Sequence, residues 1–129
     1  MKFSAPVLFA VMAASFLAAP GASANPYPQR PITFVVGFGA GGGTDINARL
    51  FAEVIAKNIG QSVVVENKTG AGGNIAAEFL SRAPADGYTL LCAPTSTLTV
   101  NPAVYAKLSY DPQKDFVPVT QISSYQLYL

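Results

Sequence analysis

Hydrophobic residues along the chain alternate between short continuous runs and a helical spacing. Residues 32–38 form a β-branched and aromatic run, which predicts a buried parallel strand. After a glycine break the spacing becomes helical, with Thr44 as the expected N-cap, Asp45 at the positive end and Gly60 as the left-handed stop. The apolar stripe predicted for this helix is Ile46, Leu50 and Val54, with Phe51, Ile55 and Ile59 beside it.

The same alternation continues through residue 93. Residues 62–66 and 88–93 predict two further strands, separated by a second glycine loop and a second helix. Asn74 is the expected cap of that helix, and Pro84 ends it before an Asp86-Gly87 turn. Its predicted apolar stripe is Ile75, Phe79 and Leu80. The order β-α-β-α-β predicts an α/β fold with a parallel sheet and right-handed crossovers.

The last part of the chain carries weaker patterns. Residues 94–97 predict a polar turn, and residues 101–105 a short helix. Residues 116–122 resemble another strand, which Pro118 limits to an edge or an irregular position.

The first 24 residues have the layout of a cleaved export signal. Lys2 precedes an apolar run from Val7 to Ala19, and Ala22-Ser23-Ala24 fits the small-residue cleavage pattern. The run is shorter than the roughly 20 residues that a membrane span requires. We therefore expect a signal peptide from Met1 to Ala24, a mature chain beginning at Asn25, and a periplasmic location.

Composition excludes several classes of function. The 129 residues include 8 basic and 7 acidic side chains, one cysteine and no histidine. This balance excludes the basic surface that nucleic acid requires. Histidine-dependent catalysis, histidine-ligated metal sites, disulfide frameworks and cysteine clusters are excluded as well. Cys92, in a predicted buried strand, is expected to be an inert packing residue.

Two glycine-rich loops are the candidate chemistry of the chain. Residues 39–43 and 69–73 each follow a predicted strand and open a predicted helix. They should therefore meet at the carboxyl edge of the sheet, where open α/β folds bind ligands. Backbone amides at helix starts favour anions, so the loops predict a site for a carboxylate or phosphate. Arg49, one turn into the first helix, is interpreted as a solvated or structural charge.

A dinucleotide site is the competing interpretation. Residues 37–42 spell G-x-G-x-x-G after a strand, and Glu66 ends the next strand as the ribose-binding acid would. However, the helical pattern begins only at Thr44, after the third glycine of the motif. An exported, dinucleotide-dependent oxidoreductase fragment stays open as an alternative on this pattern.

A set of motifs follows in continuous order along the chain. The motifs are Tyr27-Pro28-x-x-Pro31-Ile32, Gly39-Ala40-Gly41-Gly42-Gly43-Thr44-Asp45, Val64-Val65-Glu66-Asn67-Lys68-x-Gly70-Ala71-Gly72-Gly73-Asn74, Ala85-Asp86-Gly87-Tyr88-Thr89-Leu90, Asn101-Pro102-Ala103-x-Tyr105 and Tyr110-Asp111-Pro112-x-x-Asp115-Phe116-x-Pro118-Val119. Together they resemble one protein family, the extracytoplasmic solute receptors of tripartite tricarboxylate transporters, also called Bug-type receptors. The sequence departs from the family at Gly37, Gly39 and Thr69, where proline is common.

The resemblance implies a type II periplasmic-binding-protein fold with two domains that close on a ligand. Residues 25–115 would be the amino-terminal part of the first domain, and residues 116–129 would begin the crossover into a second domain. Family receptors are more than twice as long as this chain, which therefore resembles the amino-terminal part of one. Such a part should expose apolar surface that further elements would cover.

The resemblance also implies the function and the site. It implies a monomeric receptor, not an enzyme, that takes a small carboxylate to the membrane subunits of a transporter and needs no cofactor. A ligand-presenting sensor for a membrane kinase is the second alternative. Asp45 has an equal alternative role as a helix-end charge. By position, the ligand contacts would be Phe38, Ala40, Gly41, Gly42, Thr44, Asp45, Gly72, Asn74, Thr95 and Ser96.

Overall fold

The computed structural model of the protein describes residues 26–124. The predicted signal peptide, residues 1–24, lies outside the described residues. The elements in chain order are β1 (Ile32–Val36), α1 (Gly43–Ile59), β2 (Val63–Asn67), a 3-10 turn (Ala71–Gly73), α2 (Asn74–Ser81), β3 (Thr89–Cys92), α3 (Thr95–Thr99) and α4 (Asn101–Val104). The predicted β-α-β-α-β order is confirmed.

The three strands form a parallel sheet in the order β2-β1-β3. Ile32 of β1 lies opposite Val63 of β2, and Val36 lies opposite both Asn67 and Cys92. Because the three strands end in register, the loops that follow them all leave from one edge of the sheet.

The core forms around β1. Ile32, Phe34 and Val36 lie on one face of the strand, in a buried cluster with Ala48 and Ala52 of α1. Val35 points to the opposite face by the alternation of a strand and is completely buried. On that face α2 contacts β1 and β3, and its residues Ala76 and Ala77 are completely buried. The central strand β1 is thus covered on both faces, whereas Val64 of the edge strand β2 is 52% exposed.

The predicted apolar stripe of α1 is wrong. Ile46, Leu50 and Val54 are 50%, 58% and 57% exposed. The buried side of the helix carries Asp45, Ala48 and Ala52 instead. Small alanine side chains let the helix lie close to the sheet, and the side-chain contacts of Asp45 fix its rotation. Of the predicted face, Ile55 and Ile59 do pack against the core.

The predicted stripe of α2 is also mostly wrong. Ile75 and Phe79 are 48% and 41% exposed, whereas Ala76 and Ala77 face the sheet. The small residues Ala76 and Ala77 again face the sheet, which lets α2 lie close to it. A β-carbon built on Gly37 would lie 3.2 Å from the Ala76 Cβ.

The two predicted helix caps are corrected by the structure. Gly42 is the N-cap of α1 and Gly73 the N-cap of α2, and neither helix has a side-chain cap. Thr44 and Asn74 lie inside the helices, because glycines supply the extended and left-handed backbones that these turns need. The predicted stop of α1 is confirmed: Gly60 has φ +69° and its amide donates to the Ala56 carbonyl at 3.0 Å.

The chain after β3 differs from the prediction in two places. Residues 95–99 form the helix α3, not a turn, and residues 116–122 form no strand. Pro118 and the lack of a neighbouring strand among the described residues explain the second difference. The predicted short helix at residue 101 is confirmed as α4. Within residues 26–124, no helix has both the length and the apolar character that crossing a membrane would take.

Candidate ligand site at the carboxyl edge of the sheet

Three connections meet at the carboxyl edge of the sheet. The first runs from β1 to α1, the second from β2 to α2, and the third from β3 to α3. Each of these connections ends at the start of a helix, so backbone amides from three helix starts face the same edge. This is the arrangement that the sequence predicts for the two glycine loops, with α3 as an unpredicted third helix.

The three connections touch one another through Gly73. A β-carbon built on Gly73 would lie 3.3 Å from Cε2 of Phe38 and 2.9 Å from Oγ1 of Thr97. Gly73 is therefore held between a side chain of the first connection and a side chain of α3. Its φ of +91° also belongs to the left-handed region that favours glycine.

The first glycine loop is exposed where a ligand could approach it. Residues 39–43 are all exposed, and a β-carbon on Gly41 would meet nothing within 4 Å. The amides of Gly43, Thr44 and Asp45 belong to the first turn of α1, where an α-helix provides no internal acceptor. These amides and the helix dipole suit an anion.

Asp45 is directed into the protein, not toward the open side of the loop. Its side chain accepts hydrogen bonds from the Gly41 amide at 2.8 Å, from Arg49 Nε at 2.9 Å and from Asn67 Nδ2 at 2.9 Å. These bonds, with that from Arg49 foremost, hold the pKa of the Asp45 carboxyl well below its usual range. The carboxylate is thus charged and internally satisfied, and Arg49 has the structural role that the sequence predicts.

The second glycine loop has an unusual backbone. Gly70, Ala71, Gly72 and Gly73 all have positive φ, including +47° at the non-glycine Ala71. Such a run persists only where surrounding contacts fix it. The Gly72 carbonyl accepts a hydrogen bond from Asn101 Nδ2 at 3.0 Å.

Asn74 connects this loop to the rest of the domain. Its Oδ1 accepts from Asn101 Nδ2 at 2.6 Å and lies 2.8 Å from the Tyr110 hydroxyl. The same hydroxyl lies 2.8 Å from the Thr97 carbonyl, so its single proton serves one of these two acceptors at a time. Burial raises the pKa of Tyr110, which keeps the hydroxyl protonated. The buried Asn74 side chain is therefore part of a polar network beneath the loop.

Comparison with known proteins identifies the family of this chain. A family model described as "Tripartite tricarboxylate transporter family receptor" matches residues 47–129. The chain belongs to this receptor family. A UPF0065 protein of Bordetella bronchiseptica is 45% identical over 118 residues, which are 92% of this chain and 33% of the relative.

Solved structures give this chain the fold of periplasmic binding proteins. The periplasmic binding protein BugD is 42% identical with a TM-score of 0.64, and the match covers 70% of this chain and 30% of BugD. MatC from Rhodopseudomonas palustris, solved with bound malate, is 44% identical with a TM-score of 0.69 over 72% of this chain and 32% of MatC. The predicted family and fold are confirmed. The chain spans about a third of the length of the curated relatives that it matches.

The ligand contacts predicted for this chain fall into two groups. Asp45 and Asn74 are buried and bonded within the protein. The others lie exposed or partly exposed along the edge: Phe38, Ala40, Gly41, Gly42, Thr44, Gly72, Thr95 and Ser96. Contact between any of them and a ligand stays a prediction.

Four residues that build the carboxyl edge of the sheet were not among the predicted site residues. Thr97 and Asn67 touch the glycine loops directly, and Asn101 and Tyr110 support the second loop. Asn67, Asn101 and Tyr110 do lie in the family motifs, which was the signal that could have found them. Nothing in the local pattern distinguishes Thr97 from its neighbours.

The structure of this chain gives little support to the dinucleotide interpretation. Gly42, the third glycine of the motif, lies before the helix as its N-cap. Glu66, the supposed ribose-binding acid, pairs with Lys68 at 2.6 Å.

Among the described residues no group of three acidic or cysteine side chains could hold a metal ion. Burial raises the pKa of the Cys92 thiol to about 11, so this cysteine is an inert packing residue.

Proposed function

We propose that this protein is the ligand-capturing receptor of a tripartite tricarboxylate-type transporter and binds a small carboxylate. The observation that carries the proposal is the meeting of three helix starts at one edge of the sheet, around Gly73. Backbone amides at such an edge stabilise an anionic group without any charged side chain. The malate in MatC, whose fold this chain shares over most of its described residues, supports a carboxylate as that group.

In this proposal the two glycine loops are the walls of the carboxylate site. Residues 40–44 form the first wall, where the amides of the first turn of α1 face the ligand, and Gly72 belongs to the second. Thr95 and Ser96, exposed in the first turn of α3, supply hydroxyls at the third wall. The side chains of Asp45 and Asn74 support these walls from within.

The proposal includes export and delivery. The signal peptide predicted at residues 1–24 would send the chain to the periplasm, where the receptor family acts. There a monomeric receptor would capture the carboxylate and present it to the membrane subunits of the transporter. No step of this function requires a chemical change in the ligand, so the protein is not proposed to be an enzyme.

Calorimetric titration of the purified protein with malate and citrate tests the proposal. Gly41→Val places a branched side chain in the open space beside the loop and should abolish carboxylate binding. Gly60→Val is the matched control, because Gly60 has a similar positive φ of +69° and an equally open β-carbon position at the far end of α1. Both variants should lose similar stability, and only Gly41→Val should lose affinity.

Two outcomes would contradict the proposal. Equal carboxylate affinity in the two valine variants would place binding away from the first loop. Saturable binding of NADH without binding of any carboxylate would favour the dinucleotide interpretation.

A further inference from the structure

Asn67 ends β2 directly beneath the first glycine loop, where no ligand contact is predicted for it. We propose that Asn67 is a positioning residue, which holds this loop in the conformation that binds the carboxylate. This inference rests on the proposed function, because it assigns the geometry of the same loop to one side chain.

The contacts of Asn67 join the loop to the sheet from two sides. Its Nδ2 group donates to the Phe38 carbonyl at 2.9 Å, at the beginning of the loop. The same group donates to Asp45 Oδ1 at 2.9 Å, and Asp45 Oδ2 accepts from the Gly41 amide at 2.8 Å. One amide group of β2 therefore fixes the start of the loop directly and its middle through Asp45.

Only an amide meets the demands of this position. The two N–H bonds of Asn67 are used by two acceptors, and its Oδ1 accepts from Arg49 Nη2 at 3.0 Å. A carboxylate of the same shape would place oxygen against the Phe38 carbonyl and the Asp45 carboxylate, and both contacts would be repulsive. An aliphatic side chain would leave the buried Asp45 oxygen without this partner.

The arrangement also explains how a buried acid can lie next to an anion site. The Asp45 side chain is 2% exposed and carries a negative charge at the helix start that the ligand would use. Arg49 and Asn67 neutralise and orient that charge on the inner side of the loop. The ligand then meets the free amides of the first turn, not the carboxylate.

The decisive variant is Asn67→Asp, compared with Asn58→Asp as a matched control on the exposed side of α1. In ¹⁵N-labelled protein, exchange of the Gly41 amide with solvent reports the bond to Asp45 without any ligand. Asn67→Asp should speed this exchange and lower malate affinity, each by about tenfold or more, the loss expected of one charge-assisted hydrogen bond. Asn58→Asp should leave both values unchanged.

A second variant keeps the test independent of folding. Arg49→Gln alters a half-exposed side chain, removes one support of the Asp45–Asn67 pair and should give an intermediate effect on both readouts. Unchanged Gly41 exchange and malate affinity in Asn67→Asp would overturn the positioning role. If the unmodified protein bound no carboxylate, the proposed function would fail, and Gly41 exchange alone would still decide whether Asn67 holds the loop.

Discussion

Gly37 and Gly73 pack backbone against backbone where the first two connections meet. A β-carbon on Gly37 would lie 2.7 Å from the Gly73 Cα, closer than any side chain permits. The two loops can approach each other this closely only because residue 37 has no β-carbon. The contact joins the end of β1 to the start of α2, and so sets the spacing between the two proposed walls of the site.

Gly37→Ala should push the two loops apart. We expect a loss of about 1–3 kcal/mol in the free energy of unfolding, as for other overpacked positions, together with weaker malate binding. Gly39→Ala is the control, because a β-carbon there meets nothing within 4 Å and φ is not positive. Urea unfolding followed by far-UV circular dichroism measures both variants. Equal stability of the two would show that the loops are not in contact.

Tyr110→Phe should weaken the polar network beneath the second loop. The variant removes the hydroxyl that lies 2.8 Å from both Asn74 Oδ1 and the Thr97 carbonyl. The expected cost is about 1–2 kcal/mol, the range for a lost buried hydrogen bond. Tyr105→Phe, at a residue that is 40% exposed, should change stability by less than ~0.5 kcal/mol. Thermal unfolding compares the two, and a neutral Tyr110→Phe would argue against the network.

Asp45 should make the protein sensitive to acid. Its pKa in the folded state is lowered by Arg49, Gly41 and Asn67, so it contributes stability above the unfolded pKa of about 3.9 and loses it as pH falls further. Asp45→Asn should therefore be less stable near neutral pH and show a shallower loss of stability below about pH 4. Glu53→Gln, which removes an exposed pair with Lys57, should lose stability below about pH 4 as steeply as the unmodified protein does. The free energy of unfolding measured against pH compares the variants. An identical pH dependence in Asp45→Asn and the unmodified protein would contradict this role.

The orientation of α1 can be tested with two substitutions on opposite sides. Ala52→Leu adds volume against the sheet, where Ala52 is 4% exposed, and should cost about 1–3 kcal/mol. Leu50→Ala removes a side chain that is 58% exposed and should cost less than ~0.5 kcal/mol. Denaturant unfolding of both variants measures the difference. A larger loss of stability in Leu50→Ala than in Ala52→Leu would show that α1 buries the face that the hydrophobic pattern predicts.

The order of elements could be predicted from the sequence because it depends on local patterns. Strand runs, glycine breaks and helical spacing each act within a few residues. The meeting of the loops follows as well, since parallel strands end at one edge. The rotation of α1 could not be predicted in this way, because it depends on Asp45 meeting Asn67, which is 22 residues away along the chain.

The same limit applies to the candidate site. Asn74 fits the pattern of a helix cap, but its partners Asn101 and Tyr110 lie 27 and 36 residues further along the chain. Those partners turn it inward and leave the cap position to Gly73. The apolar stripes predicted for α1 and α2 fail for a related reason. The apolar residues of those stripes lie on exposed faces that no other part of the described chain covers.

The most direct test of the proposed function is a map of backbone amide shifts during titration of the ¹⁵N-labelled protein with malate. We expect saturable shifts at residues 40–44, 72–73 and 95–96, with little change at Gly60 and along the opposite edge of the sheet. Saturable shifts confined to the other edge, or no shift at any amide of the glycine loops, would contradict the proposed function.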